Sequence, residues 1–500
     1  MSRSTSAGPR VAIIGSGLSG LAMAMALQDA GMRDFRIFEK AQDVGGTWRE
    51  NQYPGLTCDV PGRFYQFHDA PNANWSHLYA PGREIHRYIR KVVADRALEP
   101  HIRFGAEVTE ARWEDNHWRL RTADGEEHVA DVVVSATGVL HHPRMPRIEG
   151  MDTFAGPSFH SARWRHDVDV TGKRLAVIGT GSTSAQIVGA LAGTASHIDA
   201  YQRSRHWVVE MGNPRYSRLG RALRRRFPKL NYVSYHLLRA VIFDWLAQGV
   251  VEPGLARRVC QGIARRNFEY HVKDPELRSK IEPDYQPLCK RLVVAPNYLT
   301  ALQRPDVDLV TEGIERIEPD GVRTADGVLH PADVIVYATG FDASAFMRPM
   351  RVTGTDGLTL EEAWKDGPRA YRSVALPGFP NLFMLQGPHS PVGNYSLIRI
   401  AETQVHFIMQ WLEQMSAGRV AAVAPREEAT DAYYRDLRAA IPNTVWDTGC
   451  RSWYHDAEGN VQLWPWTAKR HREMLAHPIP EHFDIVRPGA VPEQPAELVS

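Results

Sequence analysis

The chain contains few cysteines and almost no net charge. Its four cysteines, in 500 residues, lie far apart in the sequence. Because no CxxC or other paired spacing occurs, the sequence predicts neither a disulfide framework nor a zinc site. The net charge is +1 at neutral pH, so the chain as a whole has no strong electrostatic attraction to nucleic acid or to a membrane. The cysteines are Cys58, Cys260, Cys289 and Cys450.

The chain also lacks a long apolar run. Its most apolar stretch, Leu237–Val251, is interrupted by Arg239 and Asp244, so no membrane span is expected. The first ten residues, MSRSTSAGPR, contain no apolar segment, which argues against a signal peptide and leads us to expect a cytoplasmic location by elimination. A chain of 500 residues exceeds what one hydrophobic core commonly serves, so two or three domains are expected.

A glycine-rich motif follows the first apolar segment. Residues 11–20 read VAIIGSGLSG, which predicts a strand, a tight turn at Gly15, close ligand approach at Gly17 and close helix packing at Gly20. Glu39 stands nineteen residues after the third glycine, where a carboxylate accepts hydrogen bonds from ribose hydroxyls. The combination favours a dinucleotide site over a glycine-rich turn of another α/β fold.

The same pattern recurs later in the chain. The apolar segment Leu175–Ile178 precedes Gly179, Gly181 and Ser184, and Ser184 stands where Gly or Ala is usual. Nineteen residues after it, the position of the ribose-binding acid is occupied by Arg203. An arginine at this position suits a 2′-phosphate, which predicts a preference for NADPH over NADH. The alternative is an ordinary surface arginine after a strand.

Each glycine motif is followed by an alternating segment, an apolar strand and Ala-Thr-Gly. In the first unit a β-meander over 101–134 ends in Val132–Ser135, and in the second a meander over 308–336 ends in Val334–Tyr337. The chain is therefore predicted to be an α/β protein that contains two dinucleotide-binding units.

A loop rich in glycine and aromatic residues follows Glu39. Residues 45–59 read GGTWRENQYPGLTCD, and paired glycines allow a ligand to approach the backbone closely. In this loop Trp48 and Tyr53 either cover a planar ligand ring or anchor the loop. The aromatic residues within 441–466 indicate a packed cap or a substrate pocket.

Residues 216–289 interrupt the second unit and predict helices. For a basic stretch near their start, a solvated helix face is favoured over contact with an anionic membrane surface. The cations Lys290 and Arg291 follow directly, as either a surface pair at a strand end or a pair that stabilises an anion. The basic stretch contains Arg218, Arg221, Arg224, Arg225 and Arg226.

Three segments resemble motifs of the Baeyer–Villiger monooxygenases. Residues 45–59 are similar to the flavin-site motif of that family, residues 154–164 (FAGPSFHSARW) to its linker fingerprint, and residues 289–291 to its active-site arginine segment. The related flavin-containing monooxygenases carry Tyr or Phe at the position of Trp164, so this residue favours the first family. The resemblance extends from Arg10 to about Arg472. The matching residues are Gly45, Gly46, Trp48, Tyr53, Pro54, Gly55, Asp59, Phe154, Gly156, His160, Trp164, Cys289, Lys290 and Arg291.

The resemblance implies two Rossmann-like domains, for FAD and NADPH, with a helical insertion. The FAD-binding domain would comprise 1–150 and 331–500 with the aromatic C-terminal segment, the NADPH-binding domain 151–215 and 290–330, and the insertion 216–289. The implied FAD site consists of Gly15, Gly17, Ser19, Gly20, Glu39, Gly46, Thr47, Trp48, Asp59, Tyr65, Val108, Thr137 and Gly138. The implied NADP site consists of Gly179, Gly181, Ser182, Thr183, Ser184, Gln186, Arg203, Ser204, Lys290, Arg291 and Trp446.

The implied reaction inserts one oxygen atom of O2 next to a ketone carbonyl, by way of a flavin peroxide, and gives an ester or lactone. Sulfide oxidation is implied as a second activity. Arg291 would be the catalytic cation for the charge that develops on the carbonyl oxygen, with Asp59 holding it. Lys290 would reach the 2′-phosphate together with Arg203, and Trp446 would cover the nicotinamide or ribose.

Three other functions stay open on sequence alone. A flavin-containing monooxygenase would act mainly on sulfur or nitrogen, and a non-catalytic protein would bind the same two cofactors without turnover. A flavoprotein disulfide reductase needs a cysteine pair near the flavin, and Cys58 has no partner nearby in sequence. His160 is expected in a moving linker rather than in the chemistry. No metal is predicted, and the substrate and oligomeric state do not follow from the sequence.

Overall fold

The structure is a computed structural model that describes residues 8–227, 229–390, 395–456 and 458–489. Within these residues the strands form two five-stranded sheets and four smaller ones. The strands are β1 (Val11–Ile14), β2 (Phe35–Glu39), β3 (Ile102–Phe104), β4 (Val108–Glu114), β5 (His117–Thr122), β6 (Glu127–Ala130), β7 (Val132–Ser135), β8 (Ser158–His160), β9 (Arg174–Ile178), β10 (His197–Tyr201), β11 (Val208–Val209), β12 (Val293–Val294), β13 (Val307–Val310), β14 (Ile314–Glu318), β15 (Gly321–Thr324), β16 (Leu329–Pro331), β17 (Val334–Tyr337), β18 (Arg351–Thr353), β19 (Leu382–Met384), β20 (Ala422–Pro425) and β21 (Phe483–Val486).

The helices cover the two large sheets and build the insertion. A π-helical segment, Leu238–Phe243, joins two of them. None of the helices in the described ranges is long and apolar enough to cross a membrane. The α-helices are α1 (Leu18–Asp29), α2 (Thr47–Glu50), α3 (Gly82–Asp95), α4 (Ser182–Leu191), α5 (Arg218–Arg226), α6 (Lys229–Leu237), α7 (Asp244–Val251), α8 (Leu255–His271), α9 (Pro275–Ile281), α10 (Tyr298–Ala301), α11 (Leu360–Ala363), α12 (Leu397–Ser416), α13 (Glu427–Ala440) and α14 (Ala468–Met474).

The two five-stranded sheets have the same construction. The strand order is β19-β7-β1-β2-β3 in the first and β8-β17-β9-β10-β13 in the second, with parallel pairing throughout. In both sheets the strand before the glycine motif is central, and the strand before Ala-Thr-Gly pairs with it. The strands β1, β7 and β17 are buried along their whole length, as continuous apolar runs in parallel sheets require. The prediction of two Rossmann-like α/β units is confirmed.

The first glycine of each motif is required by a close backbone contact. Gly15 has a φ of +106°, and a Cβ there would lie 2.6 Å from the carbonyl oxygen of Ala136. Gly179 has a φ of +134°, and its Cβ would lie 2.3 Å from the carbonyl oxygen of Ala338. Each turn therefore packs on the Ala-Thr-Gly segment of its own unit. This contact is the physical reason why the two sequence features recur together.

The segments outside the large sheets also agree with the sequence predictions. Strands β4, β5 and β6 form an antiparallel meander, and so do β14, β15 and β16. Within residues 216–289 the chain forms α5 to α9, so the predicted helical character is confirmed. Helix α12, in the C-terminal part of the chain, packs against α1 of the first unit.

One prediction from the cysteine spacing is wrong. Cys289 and Cys450 form a disulfide across a sequence separation of 161 residues. Both lie in a buried apolar cluster that also contains Trp446 and Tyr454, so tertiary packing brings them together. No local spacing motif signals such a pair. Within the described residues, Cys58 and Cys260 are free and buried.

Buried histidines make the stability of the fold depend on pH. Burial lowers the pKa of His389 to about 4 and that of His471 to about 3, whereas an unfolded histidine titrates near 6.5. The unfolded chain therefore binds more protons between pH 6.5 and 4, and the free energy of unfolding should fall as the pH falls through this window. We expect a lower thermal midpoint at pH 5 than at pH 7. A midpoint that is constant between these values would contradict the assignment.

Candidate active site

A cavity of about 2550 Å³ connects the two dinucleotide-binding units. It exceeds the roughly 300–1,000 Å³ of a pocket for one small ligand. Its wall includes the residues that follow the carboxyl ends of β1 and β9, where open α/β sheets bind their ligands. The predicted site residues that line it are Gly15, Gly17, Ser19, Glu39, Gly46, Thr47, Trp48, Asp59, Tyr65, Val108, Thr137, Gly138, Gly179, Gly181, Ser182, Thr183, Gln186, Arg203, Ser204, Lys290 and Arg291.

Both glycine motifs present a helix N-terminus to the cavity. Gly17 precedes α1 and Gly181 precedes α4, and neither helix start receives a hydrogen bond from a capping side chain. A Cβ on Gly181 would meet no atom within 4 Å, so this backbone is open to a ligand. Free N–H groups at a helix start attract a phosphate. The residues present therefore fit two pyrophosphate groups, one in each unit.

Glu39 is held at the wall of the cavity by a set of donors. The backbone N–H and hydroxyl of Ser16 donate to one carboxylate oxygen at 3.0 and 2.7 Å, and Ala41 N–H and Arg49 Nη1 each donate to the other at 2.9 Å. Burial alone raises the pKa of Glu39, but these donors outweigh it and the pKa is lowered. The carboxylate is thus charged and fixed in orientation, as a ribose-binding acid must be. Sequence reasoning missed Arg49, although it stands inside the loop motif.

The loop over 45–59 joins the first unit to the second. The Tyr53 hydroxyl donates to Gln186 Oε1 at 3.1 Å, and Gln186 Nε2 donates to the carbonyl of Thr57 at 3.1 Å. A Cβ on Gly55 would lie 2.4 Å from the Gln186 carbonyl oxygen, so the Tyr-Pro-Gly turn lies directly on α4. Tyr53 therefore anchors the loop, and Gln186 serves this contact in addition to its place in the cavity wall. Tyr53 and Trp48 both line the cavity.

The phosphate end of the second unit is basic. Arg203 follows β10, is exposed and lines the cavity together with Ser204 and Lys290. Lys290 Nζ lies 4.5 Å from the centre of the Tyr285 ring, and burial lowers its pKa. Burial and the nearby Lys290 lower the pKa of His206 to about 4. His206, which sequence reasoning missed, therefore adds a neutral imidazole beside Lys290.

The exposed Arg203 gives a prediction about cofactor choice. We expect Arg203→Ala to raise the KM for NADPH by about 10- to 150-fold, because one charge-assisted contact to the 2′-phosphate is worth about 1.5–3 kcal/mol. The KM for NADH should change little, since NADH carries no phosphate there. Steady-state oxidation of both cofactors measures the ratio. Equal changes for NADPH and NADH would show that Arg203 is only a surface residue.

Arg291 and Asp59 form an ion pair at the cavity wall. Arg291 Nε donates to Asp59 Oδ2 at 2.9 Å, and Nη2 contacts the same oxygen. The side chains are 41% and 20% exposed, and both line the cavity, so the pair faces its interior. Asp59 raises the pKa of Arg291. The hydroxyl of the buried Tyr454 is a second partner of Arg291, which the sequence did not indicate.

Three predicted cofactor residues lie behind the cavity wall. Gly20 has a packing role, because a Cβ there would lie 2.0 Å from the Gly15 carbonyl oxygen. Ser184 is also buried, at 1% exposed. Trp446 is 1% exposed and packs edge-on against Tyr454, so it is not among the described residues that line the cavity. A contact of Trp446 with the nicotinamide therefore stays a prediction, whereas Trp453 lines the cavity.

The linker fingerprint also lies outside the cavity wall. Phe154 belongs to a buried cluster of the second unit, and Trp164 packs edge-on against Phe159. His160 is buried, accepts from the Ala162 N–H through Nδ1 at 3.1 Å, and places Nε2 3.1 Å from the Gly340 carbonyl oxygen. A Cβ on Gly156 would lie 2.4 Å from the Asp333 carbonyl oxygen. These contacts attach the linker to the second Ala-Thr-Gly segment, and movement of the linker stays a prediction.

The fold and the cavity together define the class of protein to which this chain belongs. Two Rossmann-like units, each with an open glycine-bearing helix start, face one cavity that holds an oriented arginine, which is the arrangement of a two-dinucleotide oxidoreductase. A family model described as pyridine nucleotide-disulphide oxidoreductase matches residues 12–233. This match covers the first unit and the start of the second.

Comparisons with known proteins are more specific. The chain is 49% identical to an uncharacterized monooxygenase of Mycobacterium tuberculosis, over 97% of both chains. It is 39% identical to a Baeyer-Villiger monooxygenase of Streptomyces coelicolor, over 96% of this chain and 93% of the relative. It superposes on the crystal structure of OTEMO in complex with FAD and NADP with a TM-score of 0.84, at 27% identity, covering 96% of this chain and 100% of the other. The chain belongs to the Baeyer–Villiger monooxygenase family, and it is a monooxygenase.

Proposed function

We propose that the protein uses FAD and NADPH to insert one oxygen atom of O2 next to a ketone carbonyl, which gives an ester or lactone. The observation that carries the proposal is the ion pair of Arg291 with Asp59 at a cavity that both glycine motifs reach. Membership of the family supports the reaction, and the presence of FAD and NADP in the similar OTEMO structure supports the cofactors.

The residues of the cavity divide between the two cofactors. In the first unit, the start of α1 would hold the FAD pyrophosphate and Glu39 a ribose. In the second, the start of α4 would hold the NADPH pyrophosphate, with Arg203 and Lys290 at the 2′-phosphate. When bound, NADPH supplies a hydride and FAD supplies the oxygen-transfer chemistry. The hydrogen bond from Tyr53 to Gln186 joins the two units.

Arg291 would act on the substrate rather than on either cofactor. Addition of a nucleophile to a ketone places negative charge on the carbonyl oxygen, and a fixed cation aimed at that oxygen stabilises the charge. An arginine stays protonated and presents several donors in one plane. Asp59 restricts the guanidinium to one orientation through Nε and Nη2, which leaves Nη1 as the donor for the carbonyl oxygen.

Product analysis tests this proposal. Purified protein with FAD, NADPH and air would receive a cyclic ketone, an aryl ketone, a long-chain ketone and an aryl sulfide, and ester, sulfoxide and hydrogen peroxide would be quantified together. Esters or lactones would support carbonyl oxygenation. Sulfoxide without ester would contradict it and indicate an enzyme that acts on heteroatoms. Sulfide oxidation as a second activity and a cytoplasmic location both stay predictions.

A further inference from the structure

Helix α5 turns its apolar side toward solvent. Leu219 and Leu223 are one turn apart, and Leu219 is 80% exposed. Phe227, a further turn along, is exposed as well. By contrast, Arg221 and Arg224 are half-buried against the protein. A surface helix of a globular protein normally has the opposite orientation, with its apolar stripe on the core.

Helix α6 repeats this inversion. Val233 and Leu237 are one turn apart and each is 61% exposed, whereas the polar Asn231 is buried. The two helices are tied to each other, because Arg224 Nη1 donates to the Leu230 carbonyl and to the Ser234 hydroxyl, both at 3.2 Å. The inward arginine thus holds the α5–α6 hairpin in an orientation that leaves both apolar sides uncovered.

The charge of this segment differs sharply from that of the rest of the chain. Residues 211–243 contain eight Lys and Arg residues and no Asp or Glu. The remaining 467 residues contain 51 Lys and Arg against 58 Asp and Glu. The net charge of the whole chain is therefore near zero although one segment is strongly basic. This segment contains α5 and α6, whose apolar sides are exposed.

The charge and the exposed apolar side chains of α5 and α6 indicate which kind of partner binds this surface. A second copy of the chain would bring eight like charges against eight, which opposes pairing through this face. An anionic bilayer surface satisfies both features, because lipid headgroups neutralise arginines while the acyl boundary buries leucine and phenylalanine side chains. An amphipathic helix that lies in the membrane interface has this composition.

We propose that α5 and α6 dock the protein on an anionic lipid bilayer. Leu219, Leu223, Phe227, Val233 and Leu237 would enter the headgroup boundary. The arginines that flank them on α5 would contact lipid phosphates. The protein would bind peripherally, and this does not depend on the reaction it catalyses.

The hairpin is also attached close to the cavity. Tyr235, on the buried side of α6, lies 5.5 Å from the Phe64 ring between ring centroids. Phe64 in turn lies 5.6 Å from the ring of Tyr395, which lines the cavity. The docked surface would therefore adjoin the cavity wall, which suits a lipophilic substrate that dissolves in the bilayer.

Vesicle sedimentation of the FAD-loaded protein tests the proposal. We expect binding to vesicles that contain phosphatidylglycerol, weaker binding as salt is added, and little binding to vesicles of phosphatidylcholine alone. Arg225→Gln with Arg226→Gln should weaken binding by about 30-fold, since each cation near an anionic surface strengthens binding by about fivefold. Leu219→Glu with Leu223→Glu should weaken it at least about tenfold.

A matched control separates docking from a general effect of added negative charge. Val129→Glu with Val328→Glu adds the same two charges at exposed apolar residues of the two meanders, and this variant should bind as the parent does. Bound FAD, measured by absorbance, verifies the fold of each variant. Equal binding to neutral and anionic vesicles, or no binding to either, would overturn the proposal. So would self-association without lipid that Leu219→Glu with Leu223→Glu abolishes, because a second copy would then cover this face.

Discussion

Replacement of Arg291 by alanine should lower the rate of ester formation by at least about 10²–10³-fold, the usual cost of losing one donor at a developing oxyanion. FAD should stay bound, because Glu39 and the start of α1 lie in the first unit and keep their own contacts. Reduction of the flavin by NADPH should therefore persist. Ester formation under air and anaerobic flavin reduction, measured on the same preparation, separate the two steps.

Two further variants distinguish a role in stabilising charge from a role in packing. Asp59→Asn leaves the guanidinium in place but removes the charge that orients it, so we expect a smaller loss than for Arg291→Ala. Arg203→Ala is the matched control, because it removes an arginine from the same cavity and should retain the parent rate of ester formation at saturating NADPH. If Arg291→Ala oxygenates ketones at the parent rate, Arg291 does not stabilise the carbonyl oxygen.

Loss of the Cys289–Cys450 disulfide should cost about 2–5 kcal/mol of stability. The bond closes a loop across 161 residues of sequence, and restriction of so long a loop in the unfolded chain gives about 5 kcal/mol in the chain-entropy account. Cys289→Ala with Cys450→Ala should lower the denaturation midpoint. Denaturation of the parent protein in the presence of a thiol reductant should show the same shift.

Cys260→Ala is the control for this experiment, because Cys260 is also buried but forms no disulfide. Its midpoint should fall by much less than that of the double variant. A titration of thiols in the denatured, unreduced protein should find two, those of Cys58 and Cys260. Four titratable thiols would show that the disulfide is absent.

The parts of the fold that depend on local chemistry were predictable from the sequence. Gly15 and Gly179 are dictated by positive φ angles and by backbone contacts within their own units, so a short pattern records them. The strands β7 and β17 were predicted with their observed bounds, because a short continuous apolar run is typical of a strand that is buried on both faces of a parallel sheet. Glu39 and Arg203 followed from a fixed spacing within one βαβ unit.

The parts that depend on distant contacts were not predictable. The cysteine pair, the contact of Tyr53 with Gln186 and the partnership of Tyr454 with Arg291 all join residues far apart in sequence. The burial of Trp446 was not predictable either, because the sequence does not distinguish an aromatic residue in a cavity wall from one in a core. The exposure of the apolar side of α5 was not predictable either, because an amphipathic pattern does not determine which side of the helix packs on the protein.

The most direct test of the account is the fate of labelled oxygen. The FAD-loaded protein, with NADPH and a cyclic ketone, would react under ¹⁸O₂, and mass spectrometry would follow the lactone. The parent protein should form a lactone that carries one ¹⁸O atom, and Arg291→Ala should form much less of it. An unlabelled lactone, or NADPH oxidation that yields only hydrogen peroxide with every ketone tried, would contradict it.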